Sequence, residues 1–467
     1  MTYSSIHTAL RLDAEYAAHS RSEYLEAIAR RVDVEPLDAV TSHISSGHTP
    51  YKHDVKTGEV GFVTVECVSP LRFHAEKLKS ITKEQYTSEF SRQPIKKLSV
   101  LCTIKRRICQ AFPFLEAPSE PLAINQDVAL LEPNERIGAA YLATYLSSRV
   151  GQDFADRQKT EQMNPYISLV YLRTMPVVLL STDFQNKIED TIRLARRYEA
   201  EANRLKVNAE GALLGALGLA SWTPPEPVAY QKPLSTIQSS KRMDAEHFDP
   251  RHLYAEEVIA RRSYEHLRDL AEFVSSGPAW PSSSFTTPDD PDGTPFARIR
   301  NCKPGKIEVE NLDRLLPAGI AKFKSGMARA GDIAIGMDGI RWFYAGTLDG
   351  DAYINQRVSW VRLNDDAPSP GYVQLVLNSP LGQAQLLRRM TIAQTVGHIT
   401  LDDIRSIKIP VLNDAEMANI SNAVEDSEKS NAQAALLLEA AKRAVEIAIE
   451  DGEPAALTFL DEVEGAD

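Results

Sequence analysis

Only four cysteines occur in the 467 residues, at positions 67, 102, 109 and 302. None forms a Cys-x-x-Cys pair and no histidine cluster sits beside them at ligand spacing, so all four read as reduced thiols and neither a disulfide framework nor a metal site is expected. Apolar runs of about eighteen residues are missing as well, which argues against a membrane-spanning helix. Met1 to Leu12 lacks a cationic start followed by an apolar stretch, so no secretory signal is expected and the cytoplasm is the expected compartment. The glycine-rich stretch Gly331–Gly339 has neither the Lys-Ser/Thr of a phosphate loop nor the Gly-x-Gly-x-x-Gly fingerprint, and reads as a tight turn between strands. PDDPDG (288–293) lacks the alternating ligands and closing glutamate of a calcium loop and reads as a solvated turn. No Ser/His/Asp set and no nuclease-like trio of Asp, Glu and Lys can be assembled. A catalytic centre on this chain is therefore not expected.

What is present is an uneven charge. The formal net charge is −12, yet residues 411–467 alone carry 3 basic and 14 acidic side chains, nearly the whole surplus. The remainder is neutral on average, which leaves room for locally basic faces. The acidic tail, ending DEVEGAD, would be repelled by phosphate and is expected to point away from it.

The chain also contains itself twice, at an offset of about 230 residues. RLDAEY (11–16) returns as RMDAEH (242–247), and VTSHISSGHTP (40–50) as LAEFVSSGPAWP (270–281). GFVTVECVSP (61–70) answers to PFARIRNCKPG (295–305), with Cys67 and Cys302 in like places. LSVLCTI (98–104) answers to GDIAIGM (331–337), and LAINQDVALLEPN (122–134) to AYINQRVSWVRLN (352–364). AAYLATYLSSRVGQ (139–152) and MNPYISLVYLRTMPVVLL (163–180) answer to PGYVQLVLNSPLGQ (370–383) and VGHITLDDIRSIKIPVL (396–412). Duplicated enzymes show the same thing, so the repeat decides architecture and not function.

Within each copy, β-branched runs such as Gly61–Val65, Val100–Ile104, Val128–Leu131, Ile333–Ile335 and Val358–Val361 are bounded by Gly, Pro or Asn, as strands are. Ala139–Leu146 and Tyr372–Leu377 read as helices. Each copy then ends in a long helix. In the second, Ile420, Val424, Ser427, Asn431, Ala434, Leu438, Ala441, Val445 and Ala448 keep the 4-3 heptad spacing. In the first, Ile188, Ala195, Ala202, Leu205, Ala209, Ala212 and Ala216 form a similar seam, widened by Ile192 and Leu213. Such alanine-rich seams are weak alone, so the two helices are expected to pack on each other, as a rod of about 50 Å. Residues 220–241, with Pro224, Pro225, Pro227 and Pro233, read as a linker. The expected fold is mixed α/β (α+β): globular domains at 1–180 and 242–412, helices at 181–219 and 413–452 packed as an antiparallel coiled coil, and an acidic tail at 453–467.

These segments resemble the specificity subunit of type I restriction–modification systems. In that family each target-recognition domain opens with a turn similar to SGHTP (46–50). A strand like GFVTVE, a segment like GDIAIGMDGI (331–340) and one like INQRV (354–358) follow, and a strand of the HITLDDIRSIKIPVL type leads into the long helix. The resemblance covers nearly the whole chain, and the order and duplication of the motifs carry it. It departs at Leu98-Ser99, where the first copy lacks Gly-Asp, at the basic Lys105-Arg106-Arg107, and at SGPAWP.

The resemblance implies two domains that each read one half of a split double-stranded DNA target, and helices that set the half-site separation and dock two methyltransferase subunits. A restriction–translocase subunit would join to complete such a complex. No cofactor is implied on this chain; S-adenosylmethionine would belong to the methyltransferase. Asn164-Pro165-Tyr166 is one proline short of the amino-methyltransferase tetrapeptide, has no cofactor loop before it, and reads as a turn. DNA contact needs Arg and Lys for phosphate and guanine and Asn or Gln for adenine. The candidates are Lys52, Lys105, Arg106 and Arg107 in the first copy and Arg298, Arg300, Asn301, Lys303, Lys322, Lys324 and Arg341 in the second. Asn125-Gln126 and Asn355-Gln356 recur identically and read as structural. Two alternatives stay open: a reader in another phage-defence methylation system, and a pseudo-symmetric adaptor that binds protein, which the overall acidity favours slightly and the confinement of that acidity to residues 411–467 argues against.

Overall fold

The computed structural model describes residue 28 and residues 32–465, except 52, 54–57, 161–163, 222, 224–228, 288–289, 308–311, 322–325, 340 and 394–395. The chain divides into two units: unit 1 comprises residues 1–200 and 431–467, and unit 2 residues 201–430.

Unit 1 is organised by the run Val-Ala-Leu-Leu at the start of strand Val128–Pro133, buried at all four positions. Side chains alternate along a strand, so a continuous apolar run means both faces are covered. Ala129 and Leu131 enter one core with Val100, Cys102 and Ile44, beneath helices Ala139–Ser147 and Arg149–Gln158. Val128 and Leu130 enter the other with Leu101, Val63 and Ile124. The antiparallel sheet runs in the order Thr41–Ser46, Val128–Pro133, Val100–Thr103, Ala111–Pro113. A second sheet pairs Lys79–Ile81 with Val60–Val63, which lies parallel to Leu122–Ile124.

Unit 2 repeats these orders. Ala271–Ser276, Val358–Leu363, Ile333–Gly336 and Ala345–Thr347 stand as the first four strands of a six-stranded sheet, continued by Gly305–Ile307 and Cys302–Lys303. Thr294–Ala297 lies parallel to Ala352–Ile354 and antiparallel to Asp313–Leu315. Small fixtures recur with the strands. Asn125 Oδ1 accepts the Asp127 N–H and Asn355 Oδ1 the Arg357 N–H, both at 3.0 Å, so the two asparagines hold turns. Tyr141 Oη donates to the Val178 carbonyl and Tyr372 Oη to that of Pro410, both at 2.8 Å.

The match of Cys67 to Cys302 needs correction by one residue. Single helical turns Val65–Cys67 and Ile299–Asn301 occupy corresponding places. The Thr64 N–H meets Cys67 Sγ at 3.4 Å, and the Arg298 N–H meets Asn301 Oδ1 at 2.9 Å. Asn301, not Cys302, is therefore the counterpart of Cys67. All four cysteines are free and buried.

The long helices are Thr182–Ala216 and Asp414–Glu450. In unit 1, Phe184, Ile188, Ile192 and Ala195 share a core with Leu437, Leu438, Ala441, Val445 and Ala448. In unit 2, Ala209 and Leu213 share one with Ile420 and Val424, and the buried Ser427 Oγ donates to the Ala202 carbonyl at 2.8 Å. The polar seam position is thereby satisfied. Ala212 and Asn431, read as seam residues, are exposed, and Leu213 takes the place of Ala212.

The stretch read as an acidic tail is packed over its described helical part. Glu453–Glu464 is a helix with Ala456 and Leu460 buried in the core of unit 1. Glu453 accepts the Ser181 N–H at 2.7 Å, at the start of the first long helix, where a carboxylate is favoured. Lys187 Nζ pairs with Asp461 at 2.7 Å and Glu464 at 2.8 Å. Within the stretch read as a linker, Leu234–Ser240 is helical.

Candidate nucleic-acid interface

In unit 1 three loops meet at one end of the main sheet. The first leaves strand Thr41–Ser46 at Gly47, where a Cβ would stand 1.7 Å from the Ile124 carbonyl oxygen. Only glycine lets the chain pass there. The second is the turn Asn125–Asp127. The third joins Val100–Thr103 to Ala111–Pro113 and is tied to the second and to the segment at Pro165: the Ile104 N–H donates to the Asp127 carbonyl at 3.0 Å and the Arg106 N–H to the Pro165 carbonyl at 2.8 Å. Unit 2 has the same convergence. A Cβ on Gly277 would lie 1.6 Å from the Ile354 oxygen, and the Met337 N–H donates to the Arg357 carbonyl at 2.9 Å.

Three of the four predicted cations of unit 1 lie on the third loop. Lys105 is half-buried, with Nζ 3.5 Å from Asp127 Oδ1. Arg106 has φ of 65°, uncommon for a residue with a side chain, and is exposed. Among the described residues nothing pairs with its guanidinium. Arg107 is exposed but sends Nη2 to the Val65 carbonyl at 3.1 Å. Lys52, Lys322 and Lys324 lie outside the described residues.

In unit 2 the candidates separate. Arg298 and Arg300 converge on Asp313, the latter at 2.6 Å, and the Arg298 guanidinium lies 4.5 Å over the Phe285 ring. Both cations are thus partly neutralised. Asn301 is only 3% exposed and closes its own turn, which leaves its amide little surface to offer a base. Lys303 is half-buried on the edge strand Cys302–Lys303. Arg341 is exposed, beside Trp342, which is 47% exposed and stacks on Tyr344 at 6.4 Å.

No family model and no curated protein matches this chain. Its fold is distantly similar to solved structures. A type I restriction–modification system S subunit from M. genitalium is 10% identical over 93% of this chain and 96% of that one, with a TM-score of 0.41. An HsdS subunit from Thermoanaerobacter tengcongensis is 14% identical over 92% and 95%, at a TM-score of 0.28. The type IIG restriction endonuclease BpuSI is 9% identical over 74% of this chain and 44% of that one, at 0.31.

Two features escaped the sequence reading. Gln126 and Gln356 are exposed at the tips of the asparagine-held turns, so only the asparagines of these recurring pairs are structural. Arg357 is exposed and salt-bridged to Asp338 at 2.7 Å. Its signal was available: the recurring Ile-Asn-Gln is followed by Asp127 in one copy and Arg357 in the other. Of the remaining chemistry, Asp290 of PDDPDG accepts from Thr286 Oγ1 at 2.7 Å and from the Asp292 N–H at 3.0 Å, while residues 288–289 lie outside the described residues. Asn164-Pro165-Tyr166 supplies backbone acceptors to Arg106 and Thr160. Burial pushes the Cys302 thiol up to about 12, which leaves it a poor nucleophile at neutral pH. Among the described residues no group of three or more His, Cys, Asp or Glu could hold a metal, and no helix is long and apolar enough to cross a membrane.

Proposed function

We propose that this chain is the sequence-reading subunit of a DNA methylation or restriction complex of type I kind. It reads a bipartite double-stranded target, one short block through the converging loops of each unit. The observation that carries this reading is the pairing of a repeated frame with unlike tips. The glycine crossings, asparagine turns and backbone hydrogen bonds at the base of the third loop recur between units, as do the exposed Gln126 and Gln356, while the other exposed side chains differ: Arg106 and Arg107 in one, Arg341, Trp342 and Arg357 in the other. A reader of two different half-sites needs a shared scaffold with divergent contacts. The sequence resemblance supports the same reading. The long helices would pair as spacers and dock two methyltransferase subunits, which would hold S-adenosylmethionine; a restriction–translocase subunit would join them.

Single-molecule methylome sequencing of the source strain, with the gene intact and deleted, tests this. A split motif methylated only when the gene is present supports it, and exchanging residues 33–180 should then change one block alone. A methylome that does not depend on the gene, together with no salt-sensitive DNA binding by the purified chain, would leave the protein-binding adaptor.

A further inference from the structure

The neck of the third loop is built alike in the two units. The Ile104 N–H donates to the Asp127 carbonyl and the Ile167 N–H to the Ile104 carbonyl; the Met337 N–H donates to the Arg357 carbonyl and the Ile399 N–H to the Met337 carbonyl, all between 2.9 and 3.0 Å. The residue after this frame is Lys105 in unit 1 and Asp338 in unit 2. The residue across from it is Asp127 in unit 1 and Arg357 in unit 2. Each unit therefore keeps an ion pair at the same place, with the polarity turned over: Lys105–Asp127 at 3.5 Å and Arg357–Asp338 at 2.7 Å.

Exposure separates the roles within each pair. The carboxylates are sheltered, 20% exposed for Asp127 and 17% for Asp338, whereas Arg357 is 53% exposed. Asp338 is held from a second side by His398 Nδ1 at 2.7 Å, on the strand Val396–His398. A fixed carboxylate gripping one end of a guanidinium orients the rest of it. Arg357 spends Nη1 on Asp338, and among the described residues nothing engages Nε or Nη2.

We propose that Arg357 is a specificity-determining residue of unit 2, reading a guanine in its half-site, with Asp338 as its positioning residue. The inference rests on the units being DNA readers. The free edge of Arg357 offers two parallel N–H donors, which match the O6 and N7 acceptors of guanine in the major groove. In unit 1 the corresponding cation is Lys105, on the opposite side of the neck, a point charge without the planar fork. One pair of positions thus gives the two units different base preferences on a common frame.

Selection of bound duplexes from a randomised pool by the full-length chain, followed by sequencing, tests this. For Arg357→Lys the expected result is loss of guanine preference at one position of one block by about 5- to 150-fold, with the other block unchanged. Asp338→Asn should weaken preference at that same position. The exchange D338K/R357D keeps a pair while reversing it, and should remove the guanine; its melting temperature reports whether it folds, and Arg357→Lys decides the matter if it does not. An unchanged motif in Arg357→Lys overturns the assignment of Arg357 while leaving the DNA reader intact. A wild-type chain that selects no motif overturns both.

Discussion

Gly47 and Gly277 stand where a neighbouring carbonyl leaves no room for a Cβ, so Gly277→Ala must displace the Ile354 backbone. A loss of about 2–4 kcal/mol is expected, read as a lowered denaturation midpoint. Two glutamates should respond to pH in opposite senses. Burial alone would raise the Glu256 carboxyl, but Arg389 and Arg388 outweigh it and hold it below the ordinary glutamate range. A depressed carboxyl stabilises the fold above its unfolded value and loses that contribution as pH falls through the folded one. Glu256→Gln should therefore lower stability at pH 7, by about 3 kcal/mol for a broken buried pair, and the gap to wild type should close in acid. Burial raises Glu428, which lies near Asp349 and Glu425. Its charged form opposes folding, so Glu428→Gln should stabilise by about 0.5–1 kcal/mol at neutral pH and not at pH 4. Thermal melts across pH 4–8 read both.

At the level of elements, five strands were legible as β-branched runs bounded by Gly, Pro or Asn, and the long helices by the seven-residue spacing of their apolar residues. Val-Ala-Leu-Leu reads as a strand, which the fold buries on both sides, and Ile188, Ala195, Ala202 and Ala209 keep a seven-residue spacing that is buried throughout. Where the period is shared by adjacent positions the reading slipped: Ala212 and Leu213 both fit the seam, and the larger side chain takes it. The helix Glu453–Glu464 was missed because its charges dominate its composition, although Ala456 and Leu460 carry the packing. Lys187 and the Ser181 turn supply partners that sequence order does not reveal. Site residues were harder still. Which cations find a carboxylate depends on register, so Arg298 and Arg300 on Asp313 could not be told from Arg106, which is exposed. The paired helices give a further prediction. Ala202 is 1% exposed under Ser427, so Ala202→Leu overpacks the contact and should cost about 1–3 kcal/mol by chemical denaturation.

For the whole molecule, an overall charge of −12 is compatible with DNA binding only if contacts are local. Salt dependence measures how many there are, since each phosphate neutralised contributes about 0.9 to the slope of log affinity against log salt. Arg106→Ala removes an exposed cation and should reduce that slope by about 1, whereas Arg357→Lys keeps the charge and should change which sequence is chosen while leaving the slope alone. Fluorescence anisotropy over a salt series separates the two.

The division of the chain also sets a timetable. Residues 201–430 form unit 2 without interruption, whereas unit 1 draws on residues from 431 onward. On a ribosome, unit 2 has all its parts while Phe184, Ile188 and Tyr141 still wait for Leu437, Val445 and Leu460. At about 5–20 residues per second, the intervening ~230 residues take roughly 10–50 s to make. The half begun first is finished last, and its apolar face is open to chaperones, or to a neighbouring nascent chain, for the whole of that interval.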